Sequence, residues 1–419
     1  MSPQHRVPQR LLPDPKIVAQ SGPISPQRLQ LRGLDQALRR AWGMTVTRMI
    51  QEVQASGILG RGGAAFPASV KWQSVRDADA AGKLKYGVMN ADESEPGTFK
   101  DRVLLETDPL LPLTGLAIAA RGVGADKVYV YLRGEYRHLL LPIQRAWEVV
   151  EGTVPEAVIP LEVRLGGGAY IAGEETALFN SIEGKRPEPR LKPPFPTVKG
   201  LFSQPTLIHN VETLANIALA FRDGAGPFRK YGSASTPGTK LVSISGRVNR
   251  PGVYEVPFGI PLTEIIEGED TAQGMQNGQR LQAVLLGGAA GTFLTSLEVA
   301  EAAYDYPALR RFGASIGSGA LVVFGETDSL PEVAQTLANF FAEESCGQCV
   351  PCRIGTVRIK EMLEQFSLSE RQVDLRDLAQ TMRDASICGL GQSATTALMS
   401  LLDRPVLWSK NVDRGKGAV

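Results

Sequence analysis

Four cysteines occur in 419 residues, and three of them, Cys346, Cys349 and Cys352, form a C-x2-C-x2-C run. Thiolates at that interval converge from one tight turn on a single centre. The fourth, Cys388, follows after 35 intervening residues. To share the centre it must be carried back on a distant loop, so the chain between has to double over. That stretch is helical in pattern, with "TVRIKEMLEQF" and "LRDLAQTMRDA", which predicts a C-terminal helical bundle carrying all four cysteines. Four thiolates suit a [4Fe–4S] cluster, one per iron, and they also suit tetrahedral zinc. Zinc sites usually pair two knuckles, so a triplet with a remote partner favours the cluster, with zinc and unligated thiols as the other readings. A lone cysteine is otherwise a small buried hydrophobe, which fits Cys388 but not the triplet. Cys388 lies in "SICGLGQS", where glycines leave room for a bulky inorganic body.

Composition excludes several classes. The formal net charge is +1, so no field for nucleic acid or an anionic membrane surface is expected. No run of about 18 apolar residues is present to span a bilayer. The best candidate, "PLLPLTGLAIAA" at 109–120, is short, holds two prolines and is expected as a buried helix. The N-terminal "MSPQHRVPQRLLPDPKI" lacks the apolar core of a secretory signal. The expectation is a cytoplasmic chain with reduced thiols. The histidines His5, His138 and His209 are scattered, and no nucleophile–base pair stands out, which leaves hydrolytic chemistry without machinery.

Strand-like runs alternate with helical ones through the first half. "KYGVM", "KVYVYLRGEY" and "VRL" are followed by helical or glycine-rich stretches, which argues for an α/β core with mostly parallel strands. Residues 1–30 hold six prolines and are expected as an extended arm on a partner or in solvent. "GKRPEPRLKPPFPTVKG" at 184–200 holds five prolines and must be an ordered wrap or loop. After the linker-like "GSASTPGTK" come short strands, read as a small α+β domain over 240–325.

Two glycine loops carry candidate chemistry. "GRGGAAF" at 60–66 offers backbone N–H groups to a phosphate, with Arg61 and Lys71 adding charge, although such loops more often only turn the chain. "GGGAYIAGEETAL" at 166–178 places Glu174 and Glu175 at a helix start. There they either complement the helix dipole or bind a ribose diol and repel a 2′-phosphate. "NADESEPGTFKDR" at 90–102 gathers Asn90, Asp92, Glu93, Ser94 and Glu95 just past an apolar strand. That is where open α/β sheets bind ligands, against the plainer reading of a solvated acidic loop. A cysteine centre with two phosphate-type loops points to redox chemistry with a flavin or nicotinamide.

The motifs "GRGGAAFP…KW", "NADESEPGTFKDR", "GAYIAGEETAL", "RLKPPFP", "NVETLAN", "SGRVNRPGVYE" and "ESCGQCVPCRIG" occur in this order. Together they resemble the family of NADH-binding flavoprotein (51-kDa type) subunits of respiratory complex I, which includes the diaphorase subunits of NAD-linked hydrogenases and formate dehydrogenases. The resemblance runs from about residue 45 to 400 and implies, after the arm (1–30), a Rossmann-like FMN- and NADH-binding α/β domain (31–238). A ubiquitin-like β-grasp domain (239–326) and a helical bundle with a [4Fe–4S] cluster (327–419) would follow. By motif, Gly60, Arg61, Gly62, Gly63 and Lys71 would hold the FMN phosphate and ring edge, and Asn90, Asp92, Glu93 and Ser94 would line the FMN. Glu95 would stand by the nicotinamide as the catalytic residue. Phe66 and Phe195 would flank the NADH bases, and Glu175 and Lys192, with Gly173 and Glu174 beside them, would meet the adenosine ribose. Asn210 and Thr213 would complete the flavin pocket, and Cys346, Cys349, Cys352 and Cys388 would hold the cluster.

The chain departs from the pattern at Ala172 (commonly cysteine), His209 (commonly asparagine) and Ala65 (commonly glycine). "SICGLGQSA" resembles the hydrogenase and formate dehydrogenase branch more than the respiratory one. The implied activity is hydride transfer between NAD(H) and FMN, then single electrons to the cluster. The implied partners are a [2Fe–2S] thioredoxin-like subunit and a larger iron–sulfur subunit, with no nucleic acid and no direct membrane insertion. The place would be cytoplasmic, or peripheral on the cytoplasmic membrane face through a complex. A flavin-less docking subunit and a zinc-stabilised binding module are the rival readings.

Overall fold

The computed structural model describes residues 9–408, apart from 23, 79–83, 155–158, 366–367 and 369. Four strands, β1 (Tyr86–Ala91), β2 (Lys127–Leu132), β3 (Leu161–Leu165) and β4 (Thr206–Asn210), form a parallel sheet in the order β3-β2-β1-β4. The sequence "KVYVYL" shows why its centre is buried on both faces. Val128, Val130 and Leu132 enter the main core, whereas Tyr129 and Tyr131 pack with Tyr86, Val88, Phe179 and Ile208 on the other side.

The expected apolar helix spans Leu110–Val123, with every residue but Arg121 buried. It crosses the helix Val211–Asp223 so closely that a Cβ on Gly115 would lie 1.9 Å from the Leu214 carbonyl oxygen. Among the described residues no single helix is long and apolar enough to cross a membrane. The one pair that passes together by length and composition, Lys100–Thr107 with Leu110–Val123, is bent by 97°.

A second, mixed sheet contains β5 (Thr239–Gly246), β6 (Gly252–Pro257), β7 (Leu281–Leu286), β8 (Thr292–Thr295) and β9 (Ala320–Gly325) in the order β6-β5-β9-β7-β8. Only the β5–β9 pair is parallel, and helix Leu262–Glu267 packs into its core. Two outer hairpins joined by a central parallel pair make the β-grasp arrangement. The helices Leu330–Glu344, Val350–Gln365, Gln372–Ala385 and Thr396–Leu402 follow, packed on the outer face of this sheet through Phe293 and Phe324.

The N-terminal segment differs from an extended arm. Pro15–Ser21 and Pro26–Leu31 are short helices, capped by Asp14 and Ser25. Proline at a helix's first position loses no hydrogen bond, so those prolines start helices there. Leu11 is fully buried in the main core.

Candidate functional site

In the parallel sheet the chain order reverses between β1 and β4, and the crevice beyond the carboxyl ends of such a pair is where open α/β sheets hold ligands. Two adjoining cavities of about 660 and 630 Å3 open there. They share Gly62, Gly63, Ala64, Asn90, Gly173, Glu174 and Asn210 as a common waist. The first runs on to the β-grasp loops and to Gly389–Thr396, beside Cys388. The second runs out past Phe66, Lys71, Glu175, Lys192 and Phe195.

The first glycine loop is pinned at its base, where the Gly60 N–H donates to the Phe66 carbonyl at 2.9 Å. Gly62 and Gly63 line both cavities, and Gly62 approaches Asn210 so closely that a Cβ would lie 3.1 Å from the Asn210 Cβ. Ala65 takes φ +51°, the left-handed region that favours glycine. Arg61 does not fit its expected role as a phosphate-side charge. Its guanidinium is fully buried away from both cavities, donating to the carbonyls of Leu59 (2.9 Å) and Pro237 (3.1 Å) and lying 4.6 Å over the Phe258 ring. Only its backbone serves the loop, with the N–H donating to Thr213 Oγ1 at 2.8 Å. Thr213 lies at the edge of the second cavity.

The acids of the 92–95 loop divide their work. Glu93 is buried and accepts from the N–H groups of Asp101 (2.8 Å) and Arg102 (2.9 Å), so it caps the helix Lys100–Thr107. Glu93 nonetheless lines the first cavity. Asp92 accepts from Ser94 Oγ at 3.1 Å through one oxygen, while its other oxygen is buried without a partner. Burial pushes the Asp92 carboxyl up to about 7, against the pull of Ser94 and Arg133. Asn90 donates to the Gly173 carbonyl at 2.9 Å, tying the two loops together. Glu95 lies in the first cavity alone, against Gly288 and within 3.2 Å of the Ala290 N–H. Burial raises its carboxyl, opposed by Ser318 and by the N–H groups of Ala290 and Ala289.

The helix-start reading holds for Glu174, whose second oxygen also pairs with Lys192 Nζ at 2.9 Å. Glu174 is the N-cap, accepting from the Thr176 and Ala177 N–H groups at 2.9 Å. Glu175 instead stands between Lys71 Nζ (3.3 Å) and Lys192 Nζ (2.8 Å) in the second cavity. Burial alone would raise its carboxyl, but the two ammonium groups override it and hold it below its ordinary range. Phe66 and Phe195 are 47% and 57% exposed, which leaves both rings free at the mouth. His209 is buried and accepts from Trp72 Nε1 at 3.0 Å, and burial lowers it to about 3, so it is neutral.

The four cysteines meet at one place. Cys352 is buried in a cluster with Ile171, Ala177, Phe341 and Leu390, with Cys346, Cys349 and Cys388 packed against it. Burial pushes the Cys352 thiol up to about 11, with the other three thiols adding to the rise. No group of three His, Cys, Asp or Glu that could hold a metal ion is found among the described residues. Gly391 packs tightly against this group: a Cβ there would lie 2.9 Å from the Cys352 Cβ and 2.5 Å from Ser386 Oγ. These side chains fit a compact multi-iron body, and the unpartnered Asp92 oxygen with the bare Gly62–Gly63 backbone fits a polar planar cofactor with a phosphate.

Several lining residues lie outside the expected set, some of them inside motifs already singled out. Tyr170 lines the first cavity and packs on Phe340 and Phe341 (5.2 and 6.4 Å between centroids) towards the cysteines. Gly287, Ala290, Ser315 and Ser318 come from the β-grasp domain, and Gln392 and Thr396 from the C-terminal region. Their distance along the chain hides them, since only the tertiary fold brings them to the crevice.

Comparison with known proteins agrees with this layout. Residues 53–219 match the family described as "Nuo51 FMN-binding domain", 240–311 the "SLBB domain", and 332–404 the "NADH-ubiquinone oxidoreductase-F iron-sulfur binding region". The NADH-quinone oxidoreductase F 2 subunit of Rhizobium meliloti (strain 1021) is 40% identical over 381 residues, covering 87% of this chain and 89% of that one. The NADP-reducing hydrogenase subunit HndC of Solidesulfovibrio fructosivorans is 37% identical, covering 90% of this chain and 78% of that one. A crystal structure of NAD+-reducing [NiFe]-hydrogenase in the H2-reduced state superposes with a TM-score of 0.81 at 36% identity, covering 90% of this chain. The chain spans 64% of that hydrogenase chain's length.

Proposed function

The chain belongs to the 51-kDa flavoprotein family of NADH-quinone oxidoreductases, and from that premise we propose that it is the NAD(H)-reacting flavoprotein subunit of a multi-subunit redox complex. The observation that carries this reading is the continuity of the crevice: one path leads from the exposed Phe66 and Phe195 rings, through the Gly62–Asn90–Asn210 waist, to the segment holding Cys388. Bound FMN would supply the exchange between two-electron hydride chemistry with NADH and single-electron transfer to a [4Fe–4S] cluster.

The chain's own part is to bind, orient and exclude water. Phe66 and Phe195 flank the dinucleotide bases, and Glu175, already held by Lys71 and Lys192, meets the ribose. Asn90, Asp92, Ser94 and the Gly62–Gly63 backbone hold the flavin, and Glu95 closes the nicotinamide side against the β-grasp loop. Cys346, Cys349, Cys352 and Cys388 hold the cluster. Electrons must then pass to a partner, in this reading a [2Fe–2S] thioredoxin-like subunit and a larger iron–sulfur subunit. A second reading, the diaphorase subunit of an NAD-linked hydrogenase or formate dehydrogenase running towards NAD+ reduction, is favoured by the superposition on the hydrogenase chain.

The test is an anaerobic NADH titration of the purified chain loaded with FMN and reconstituted with iron and sulfide. Wild type should bleach the flavin and develop a four-iron EPR signal. Cys388→Ser should still bleach the flavin but lose that signal. A flavin that stays oxidised, or a four-iron signal unchanged in Cys388→Ser, would overturn the assignment.

A further inference from the structure

Lys240, in the first β-grasp strand, belongs to none of the glycine, acidic or cysteine motifs, yet its ammonium is fully buried behind the flavin crevice. Its Nζ pairs with Glu212 Oε2 at 2.6 Å and also donates to the backbone carbonyls of Arg61 (3.2 Å) and Ser318 (3.3 Å). Each partner belongs to a different wall. Arg61 is in the first glycine loop, Ser318 is in a β-grasp loop lining the first cavity, and Glu212 opens the helix after β4. Glu212 also pairs with Lys100 Nζ at 2.9 Å, itself a cavity residue, and accepts from the Leu241 N–H at 2.7 Å.

A lysine is expensive to bury, and an unneeded one would be replaced by an apolar side chain at little cost. Burial pushes the Lys240 ammonium down to about 7, with Glu212 and Asp101 pulling it up and Lys100 opposing them. The 2.6 Å pair with Glu212 favours its charged form. In a low-dielectric interior that charge acts over several ångströms.

We propose that Lys240 is a positioning residue of the flavin pocket: it fixes the glycine loop against the β-grasp wall and adds positive charge behind the cofactor. The inference rests on the flavin reading above. FMN affinity and flavin midpoint potential are measured at pH 6 on the purified chain for wild type, Lys240→Met, Glu212→Gln and the double variant. Lys240→Met should raise the FMN dissociation constant about tenfold or more, as expected for one lost charge-assisted contact, and move the potential in the negative direction. Glu212→Gln should move it in the positive direction. The double variant, with one charge of each sign removed, should return close to the wild-type potential while keeping the weakened affinity.

Shifts of the same sign in both single variants would mean loosened packing alone and overturn the inference, as would wild-type affinity and potential in Lys240→Met. If a single variant fails to fold, the double variant decides, and wild-type FMN affinity there overturns the proposal. If the wild-type chain takes up no FMN, the flavin reading fails and this inference fails with it.

Discussion

Asp92 shows at the scale of one residue how a cavity wall is held at a cost to stability. One carboxylate oxygen is buried without a partner, an arrangement disfavoured unless a ligand completes it. Burial raises its carboxyl from the ordinary 3.8 to about 7. Between those values the folded chain binds a proton that the unfolded chain has released. Stability contributed by this group is therefore present at low pH and lost as pH rises towards 7. Asp92→Asn removes that titration. Without cofactor, the variant should melt above wild type at pH 8, and the gap should shrink at pH 4. Calorimetry that finds the same gap at both pH values would sink the argument. The sequence marked "NADES" as a polar loop at a strand end, open to a ligand role or a solvated one. It did not separate Asp92 from Glu93, because the capping of Asp101 and Arg102 by Glu93 depends on how the loop turns back. Arg61 misled for a similar reason: a cation beside glycines suggests phosphate, and nothing local shows that the Pro237 carbonyl and the Phe258 ring await its guanidinium.

Elements were easier to read where one period dominated. "KVYVYL" alternates valine and tyrosine, and the sheet puts the valines on one face and the tyrosines on the other. The apolar 109–120 stretch became the buried central helix. What periodicity does not show is how close two helices lie. Gly115 sits inside that helix, where propensity alone says alanine would stabilise by about 1 kcal/mol. The contact reverses the sign. A Cβ at Gly115 would lie 1.9 Å from the Leu214 oxygen, and overpacking of this kind costs roughly 1–3 kcal/mol. Gly115→Ala should lower the melting temperature, and a rise in circular-dichroism melts would show that the two helices separate freely.

At the scale of the whole molecule, the β-grasp domain is held to the parallel-sheet domain by contacts that no local motif announces. Glu255 on β6 is buried and its Oε2 accepts from the N–H groups of Arg10 (2.6 Å) and Leu11 (2.7 Å), 245 and 244 residues away. Its Oε1 accepts from Thr239 Oγ1 at 2.7 Å, next to Lys240. Arg10 in turn pairs with Asp223 at 2.7 Å and lies 4.4 Å over the Tyr231 ring, both in the parallel-sheet half. The N-terminal segment is thus a clasp across both domains, and β5 links it through Thr239 to Lys240 behind the crevice. Glu255→Ala would orphan two backbone N–H groups, each worth roughly 1–3 kcal/mol when left unpaired. The variant should melt lower and release FMN more readily, because Thr239 and Lys240 share one strand. Its cysteine region, where the thiols pack with Ile171, Ala177 and Phe341 rather than on β6, should still take up iron and sulfide. Lower stability with unchanged FMN release would confine the clasp to holding the fold. Loss of the iron centre together with FMN would mean that the three regions melt as one unit, and calorimetry of the same variant would then show a single transition.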